Sequence, residues 1–145
     1  AVAHALKEYT ATRAKTPEIV LFLQCTSPLT HSSDIDGAYK KFIETSADSL
    51  VAVTPAHAFL WQETQDGGLS AINHDSSVRL GRQEINGEFR ETGSFYMMRV
   101  AVFLEKSHRF FGRVVGYEIP AERAVDIDTP FDLKLAKLLL NSQAN

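Results

Sequence analysis

Two short apolar runs constrain the fold of this chain more than any other feature. Residues 19–23 and 49–53 consist almost entirely of Ile, Val, Leu, Phe and Ala. A run of this length without alternating polar positions is typical of a strand that is buried on both faces, as in a parallel sheet. The chain is therefore predicted to fold around a sheet that helices cover on both sides.

The remaining periodicity predicts helices and further strands in alternation. Apolar residues recur at helical spacing from Val2 to Tyr9, and again over residues 33–45, where Ser33 and Asp36 form a predicted capping pair. The later elements are strands over residues 93–98 and 114–119, a short helix over 100–106 and a last helix from 130 to about 140. This alternation predicts an α/β fold with a mostly parallel sheet.

Residues 55–90 interrupt the alternation. Asp66, Gly67 and Gly68 lie between two short apolar segments, which is a hairpin signal, and a polar stretch follows them. We therefore predict an excursion from the main sheet over about residues 55–90, within one domain that spans residues 1–145.

Composition and charge argue against several classes of protein. The 145 residues are 44% apolar and 23% charged, which is ordinary for one globular domain. No apolar run approaches the roughly 20 residues that cross a bilayer, so we expect no membrane partner. A net charge of −3 argues against a nucleic-acid partner. The single cysteine, Cys25, fits a reducing compartment such as the cytoplasm.

Two carboxylates near the C-terminus form the strongest candidate site. Asp126 and Asp128 stand two residues apart at the end of a predicted extended run, so they would share one face of a strand. Thr129 and Asp132 then form a capping pair for the last helix. Paired carboxylates where a strand meets a helix suit Mg²⁺ bound together with phosphate. A solvated strand end or a simple capping role is the alternative.

Five motifs occur in an order that resembles the acylneuraminate cytidylyltransferases, the enzymes that make CMP-sialic acid and related CMP-activated sugars. They are residues 23–29, 48–53, 81–83, 91–96 and 125–128. The resemblance covers nearly the whole chain. It implies a Rossmann-like nucleotidyltransferase sheet, a homodimer, and a protruding dimerisation excursion at about residues 55–90.

The resemblance also implies a reaction and a set of roles. CMP passes from CTP to the anomeric hydroxyl of an acidic nine-carbon sugar such as N-acetylneuraminate, and pyrophosphate leaves. Asp126 and Asp128 would hold Mg²⁺. Gln24 would hydrogen-bond the sugar, or simply satisfy local backbone. Arg82 would pair with the sugar carboxylate in the partner's active site, or form a surface ion pair.

Three aromatic residues complete the implied sugar pocket. Tyr96 would line it, and the adjacent Phe110 and Phe111 match a family position that packs against the N-acyl group. For each of the three, burial in the core is the alternative.

The chain departs from the family pattern in three ways. Residues 1–145 contain no glycine-rich basic loop of the kind that holds the CTP phosphates, and the family's first strands are absent with it. Thr30 and Thr92 stand where Arg and Asn are usual. Without those first strands, the strand at residues 19–23 would have a free edge. We therefore expect a fragment, or one piece of a longer enzyme, that is inactive alone.

Two other interpretations stay open at this point. One is a non-catalytic sugar-nucleotide-binding or dimerisation module derived from the same fold. The other is a related enzyme that activates pseudaminic, legionaminic or another acidic sugar. The family resemblance implies a cytoplasmic location in bacteria and a nuclear one in animals.

Overall fold

The computed structural model describes residues 1–78, 81, 84 and 87–143. In chain order its elements are α1 (Val2–Arg13), β1 (Ile19–Leu23), α2 (Ser32–Glu44), β2 (Ser49–Pro55), β3 (Trp61–Glu63), β4 (Leu69–Ala71), β5 (Phe89–Arg99), α3 (Val100–Lys106), β6 (Val114–Glu118), a 3-10 turn (Ala121–Arg123) and α4 (Pro130–Gln143). Among the described residues no helix is long and apolar enough to cross a membrane.

Four strands form the main sheet in the order β1-β5-β2-β6. β2 and β6 are parallel, with Ser49 opposite Val114, whereas β1 and β5 are antiparallel, with Leu23 opposite Phe95. The predicted α/β class is confirmed, and the sheet is mixed. A continuous apolar run reports burial on both faces and carries no information about strand direction, so the sequence pattern did not reveal the reversed strand.

Helices cover both faces of the sheet at β2 and β5. Leu21 and Leu23 of β1 are exposed, so burial on both faces, which the apolar run predicted for this strand, is not observed. On one face Leu6 of α1 and Phe103 of α3 pack with Val51 and Met98. On the other face Phe42 of α2 packs with Leu50 and with other residues of β2 and β5. β2 is buried from Ser49 to Thr54, which accounts for the absence of alternating polar residues in its sequence.

A third, smaller cluster joins three segments near the C-terminus. Leu29, from the loop after β1, packs with Val125 and with Ala136 of α4. All three side chains are buried. The cluster therefore holds the loop after β1 and the acidic segment around residue 126 against the same helix.

The start of α2 differs from the prediction. Its cap is His31, and Asp34 three residues later accepts a hydrogen bond from the His31 backbone N–H at 2.9 Å, whereas Ser33 and Asp36 both lie within the helix. Two carboxylates, Asp34 and Asp36, had the spacing for a capping role. Asp34 also pairs with a distant arginine, and sequence spacing cannot detect such a partner.

The chain divides into two compact units, residues 1–54 with 91–145, and Pro55–Arg90. The second unit contains the predicted hairpin, in which β3 and β4 are antiparallel with Trp61 opposite Ala71. Gly67 has φ 81° at the turn, a conformation that glycine adopts without strain. A role of this unit in dimerisation stays a prediction.

Candidate active site

Residues from three of the sequence motifs meet where β1 ends. The backbone N–H of Gln24 donates to the Ser94 carbonyl at 3.0 Å, which extends the β1–β5 ladder by one position. Ser27, which is buried in the following loop, places its hydroxyl 3.4 Å from the Thr92 carbonyl and 3.5 Å from Asp126 Oδ1. The loop after β1, the first part of β5 and the acidic segment therefore converge on one point.

Gly93 is the position in β5 that Asp126 contacts. Its φ is 72°, and a Cβ atom built there would overlap the Asp126 carboxylate. A side chain at residue 93 would meet both a backbone penalty and this overlap. Because Gly93 has no side chain, it leaves the space in which the half-buried Asp126 carboxylate lies. This space beside Gly93 is called the cradle below.

The backbone fixes the acidic segment as well. The Ile127 N–H donates to the Thr26 carbonyl at 2.9 Å. β6 ends at Glu118, and residues 124–128 belong to no strand, so the predicted strand before Asp126 and Asp128 is wrong. The loop after β1 thus supplies a backbone hydrogen bond of the kind that a neighbouring strand would otherwise supply.

Asp128 occupies a different environment from Asp126. It is exposed and lies two residues before α4 begins. Asp132 accepts from the Thr129 hydroxyl at 2.7 Å and from the Thr129 N–H at 2.8 Å, and these bonds lower the pKa of Asp132. The predicted Thr129–Asp132 cap is confirmed. Asp132 is engaged in capping, so Asp126 and Asp128 are left as the candidate ligands.

One carboxylate held against Gly93 and one exposed carboxylate two residues later form a donor set that fits Mg²⁺, as it would other cations that prefer oxygen ligands. Within the described residues no group of three or more His, Cys, Asp or Glu side chains is arranged to hold a metal. Mg²⁺ does not need one, because it keeps several waters and takes one or two protein carboxylates together with substrate phosphates. The cradle at Gly93 keeps one such carboxylate in place before any ion arrives.

Tyr96 is the centre of an aromatic cluster on one face of the sheet. Its ring centroid lies 6.1 Å from that of Phe22 and 6.0 Å from that of Phe110, and its hydroxyl donates to Glu91 at 2.9 Å. Burial and the bond to Glu91 raise the pKa of Tyr96. Tyr96 is only 4% exposed, whereas Phe110 is 39% exposed and keeps an open face.

The structure separates the adjacent Phe110 and Phe111. Phe111 is 7% exposed and belongs to the core, and its backbone N–H donates to Ser49 Oγ at 3.1 Å. The placement of Phe111 favours the core role that the sequence left open. Phe110 remains available to a ligand.

Arg82 lies outside the described residues, so its predicted role has no structural counterpart here. Two other arginines, Arg109 and Arg123, contact predicted site elements but were not predicted from the sequence. The Arg109 guanidinium lies 4.5 Å from the Tyr96 ring centroid and 5.1 Å from that of Phe22. The only sequence signal for Arg109 was its position directly before the aromatic pair.

Arg123 is the second arginine, three residues before Asp126. It donates through both terminal nitrogens to Asp34, with Nη2 2.8 Å from Oδ1. Burial opposes ionisation of Asp34, but the bonds from Arg123 and from the His31 N–H outweigh it, so the pKa of Asp34 is lowered. The pair ties the start of α2 to the acidic segment.

Comparison with solved structures defines the class of fold. The chain aligns over 96% of its length, and over 65% of the other chain, with a structure of 4-diphosphocytidyl-2C-methyl-D-erythritol synthase, at a TM-score of 0.67 and 12% identity. A second such synthase, from Anaerococcus prevotii, aligns at a TM-score of 0.57. The protein therefore has the α/β fold of a cytidylyltransferase.

Sequence comparison identifies the relatives within that class. N-acylneuraminate cytidylyltransferase B of Danio rerio is 32% identical over 123 residues, which are 83% of this chain and 29% of the fish protein. Pseudaminic acid cytidylyltransferase of Campylobacter jejuni (strain 81-176) is 28% identical over 125 residues, 53% of that protein. No protein-family profile matches the chain. The chain is a homologue of the acylneuraminate cytidylyltransferases, as its five motifs predicted, and it spans less than two thirds of these relatives.

Proposed function

We propose that this chain forms the metal and acceptor side of an enzyme that transfers CMP from CTP to the anomeric hydroxyl of an acidic nine-carbon 2-keto sugar such as N-acetylneuraminate, releasing pyrophosphate. The observation that carries the proposal is the meeting of Ser27, Gly93 and Asp126 at the end of β1. These residues come from three separate motifs, and the homologues are named for such a transfer.

Asp126 and Asp128 would hold Mg²⁺. When bound, the ion neutralises charge on the phosphate oxygens and lowers the pKa of the attacking hydroxyl. The chain's own contribution is to fix these carboxylates. Gly93 and Ser27 surround Asp126, and the Thr129–Asp132 cap sets the backbone directly after Asp128.

The sugar would lie against the face of the sheet that carries Tyr96. Gln24 at the end of β1 would hydrogen-bond it, and Tyr96 and Phe110 would pack against its ring and N-acyl group. Phe111, which is buried in the core, would support Tyr96 and Phe110 without contacting the sugar. Arg82 is proposed to meet the sugar carboxylate from the partner subunit of a homodimer.

The Pro55–Arg90 unit is the proposed dimerisation excursion. Several of its large apolar side chains are exposed, among them Trp61, Leu69 and Ile72. Several large apolar side chains exposed within one short segment are typical of a surface that contacts another protein. A cytoplasmic location, or a nuclear one in an animal, is part of the same proposal and is consistent with a single unpaired cysteine, Cys25.

The test is pyrophosphate release in the presence of CTP, Mg²⁺ and N-acetylneuraminate. We expect residues 1–145 alone to be inactive, because they contain no glycine-rich basic loop for the CTP phosphates. Adding polypeptide that carries such a loop, fused or separate, should produce turnover. Robust turnover by residues 1–145 alone would show that the loop is not required.

The identity of the sugar is tested in the same assay. The C. jejuni relative makes pseudaminic acid the second acceptor to try. Faster turnover with pseudaminic or legionaminic acid than with N-acetylneuraminate would reassign the substrate. If a folded protein that carries the loop releases no pyrophosphate with any of these acidic sugars, the chain is better described as a non-catalytic module.

A further inference from the structure

One continuous stretch of chain, residues 26–34, holds the segment that carries Asp126. Residues 123–127 belong to no strand, and the loop after β1 and the start of α2 supply their partners in place of a neighbouring strand. Four contacts join the two stretches. In order they are Thr26 with Ile127, Ser27 with Asp126, Leu29 with Val125, and Asp34 with Arg123.

The order of these contacts shows that the two stretches run antiparallel. As the residue number rises from 26 to 34, the number of the partner falls from 127 to 123. A backbone hydrogen bond of 2.9 Å lies at one end, apolar packing in the middle and an ion pair at the other end. We call these four contacts the clasp. Asp126 lies inside the clasp, so the backbone is fixed on both sides of it.

The Asp34–Arg123 pair closes the clasp on the side that leads into Asp126. Arg123 donates through both terminal nitrogens to Asp34, and both side chains are largely buried. A contact through two parallel bonds fixes the direction of the guanidinium as well as its distance. Asp34 is itself fixed at the start of α2, because it accepts from the His31 N–H. The pair therefore anchors the segment before Asp126 to a helix.

We propose that Arg123, held by Asp34, is a positioning residue for the metal ligand Asp126. This inference rests on the proposed function, in which Asp126 holds Mg²⁺, and adds to it a residue that acts through the backbone. The cradle and Ser27 hold the carboxylate of Asp126, whereas Arg123 holds the chain from which that carboxylate projects. Mg²⁺ requires nearly ideal octahedral geometry, so its binding depends on where the carboxylate oxygens lie.

The test is an NMR titration of residues 1–145 with Mg²⁺, which follows the backbone amide signals of residues 126–128. Arg123→Gln should bind Mg²⁺ roughly tenfold more weakly, the lower end of the effect of removing a group that orients a metal ligand. Charge alone predicts the opposite result. The variant loses a positive charge and leaves the negative charge of Asp34 unpaired, and both changes favour a cation nearby. The direction of the change therefore separates positioning from electrostatics.

Arg123→Lys is the conservative variant. It returns the positive charge without the fork of donors, so it should recover part of the lost Mg²⁺ affinity. If Arg123→Gln does not fold, Arg123→Lys decides the question in the same titration, and an affinity equal to that of the parent would overturn the inference.

Two variants of α2 are the controls. Phe42→Leu loosens the packing of the same helix, but Phe42 belongs to the core cluster of Leu50 and not to that of Leu29. Lys40→Gln removes a positive charge from an exposed position on the helix. Both should leave the Mg²⁺ affinity unchanged. Thermal melting verifies that each variant is folded.

The remaining outcomes separate this inference from the proposed function. Equal or tighter Mg²⁺ binding by a folded Arg123→Gln would overturn the positioning role and leave the proposed metal site standing. An equal loss of affinity in Phe42→Leu would also overturn it, because any loosening of α2 would then have the same effect. If the amide signals of residues 126–128 in the parent do not respond to Mg²⁺, the inference fails together with the metal role of Asp126 and Asp128.

Discussion

At the scale of single residues, the site depends on the missing side chain of Gly93 as well as on the carboxylates of Asp126 and Asp128. Gly93 has no side chain, and the Asp126 carboxylate occupies the space that a Cβ atom would fill. Asp128, two residues later, is exposed and is followed directly by a capped helix. The two carboxylates therefore call for different tests.

Gly93→Ala should displace Asp126 and also impose a positive φ on alanine. We expect a stability loss on the order of 1–3 kcal/mol, measured by urea unfolding, together with weaker Mg²⁺ binding. Gly87→Ala is the control, because Gly87 has φ 79° and nothing within 4 Å of the built Cβ. It should show a backbone penalty with unchanged Mg²⁺ binding. Equal Mg²⁺ affinity in both variants would argue against the cradle.

Asp128→Asn should remove one proposed Mg²⁺ ligand and leave the Thr129–Asp132 cap in place. In an active, complete enzyme we expect a large loss of turnover with little change in unfolding free energy. Asp132→Asn should do the opposite, lowering the free energy of unfolding through the weakened cap while keeping the Mg²⁺ dependence. Identical Mg²⁺ titrations of the parent and Asp128→Asn would rule out the metal role.

At the scale of secondary-structure elements, the Asp34–Arg123 pair connects α2 with the segment that leads to Asp126. Both side chains are largely buried, at 5% and 15% exposure. A buried carboxylate that keeps a lowered pKa stabilises the fold only while it is ionised. The pair therefore links the stability of this corner of the molecule to pH.

Arg123→Gln should cost about 3 kcal/mol near pH 7, because it leaves a buried carboxylate without its partner. The pKa of Asp34 is lowered in the fold, so the stabilisation is present above the unfolded value near 3.9 and is lost as pH falls through the lower folded value. The difference between parent and variant should therefore shrink below about pH 4 in urea titrations.

The exposed ion pair Lys40–Glu44 provides the comparison for this experiment. Its side chains are 75% and 62% exposed, so Lys40→Gln should change stability by less than about 0.5 kcal/mol. If Arg123→Gln lowers the free energy of unfolding at pH 7 by no more than Lys40→Gln does, the buried pair makes no net contribution to stability.

At the scale of the whole molecule, the chain has a cytidylyltransferase fold and divides into two compact units, one of which is Pro55–Arg90. That unit contains few residues for its own core and exposes Trp61 at 48%. Its proposed role is to join two copies of the protein.

Trp61→Glu should convert the proposed dimer to a monomer, because it places a charge on the apolar surface, while an exposed side chain contributes little to the fold itself. Light scattering over a range of concentrations measures the mass. Phe131→Glu is the control from the other unit, since Phe131 on α4 is 72% exposed. A parent protein that is monomeric at all concentrations would remove the dimer from the proposal.

The sequence by itself determined the features that depend on a few neighbouring residues. The apolar runs located β1 and β2, helical spacing located α1 and α4, the glycine pair located the β3–β4 turn, and Thr129 with Asp132 located the cap of α4. These signals are readable because strand burial, helix periodicity, tight turns and caps are each set within about one to four residues.

Only the tertiary structure decided the contacts between distant segments. Ser27 and Asp126 are 99 positions apart, and Asp34 and Arg123 are 89 apart. Which of two adjacent phenylalanines is buried, and which aromatic rings support Arg109, likewise depends on how the sheet and its helices pack together. Local sequence spacing carries no record of such partners, because the packing of the complete core selects them.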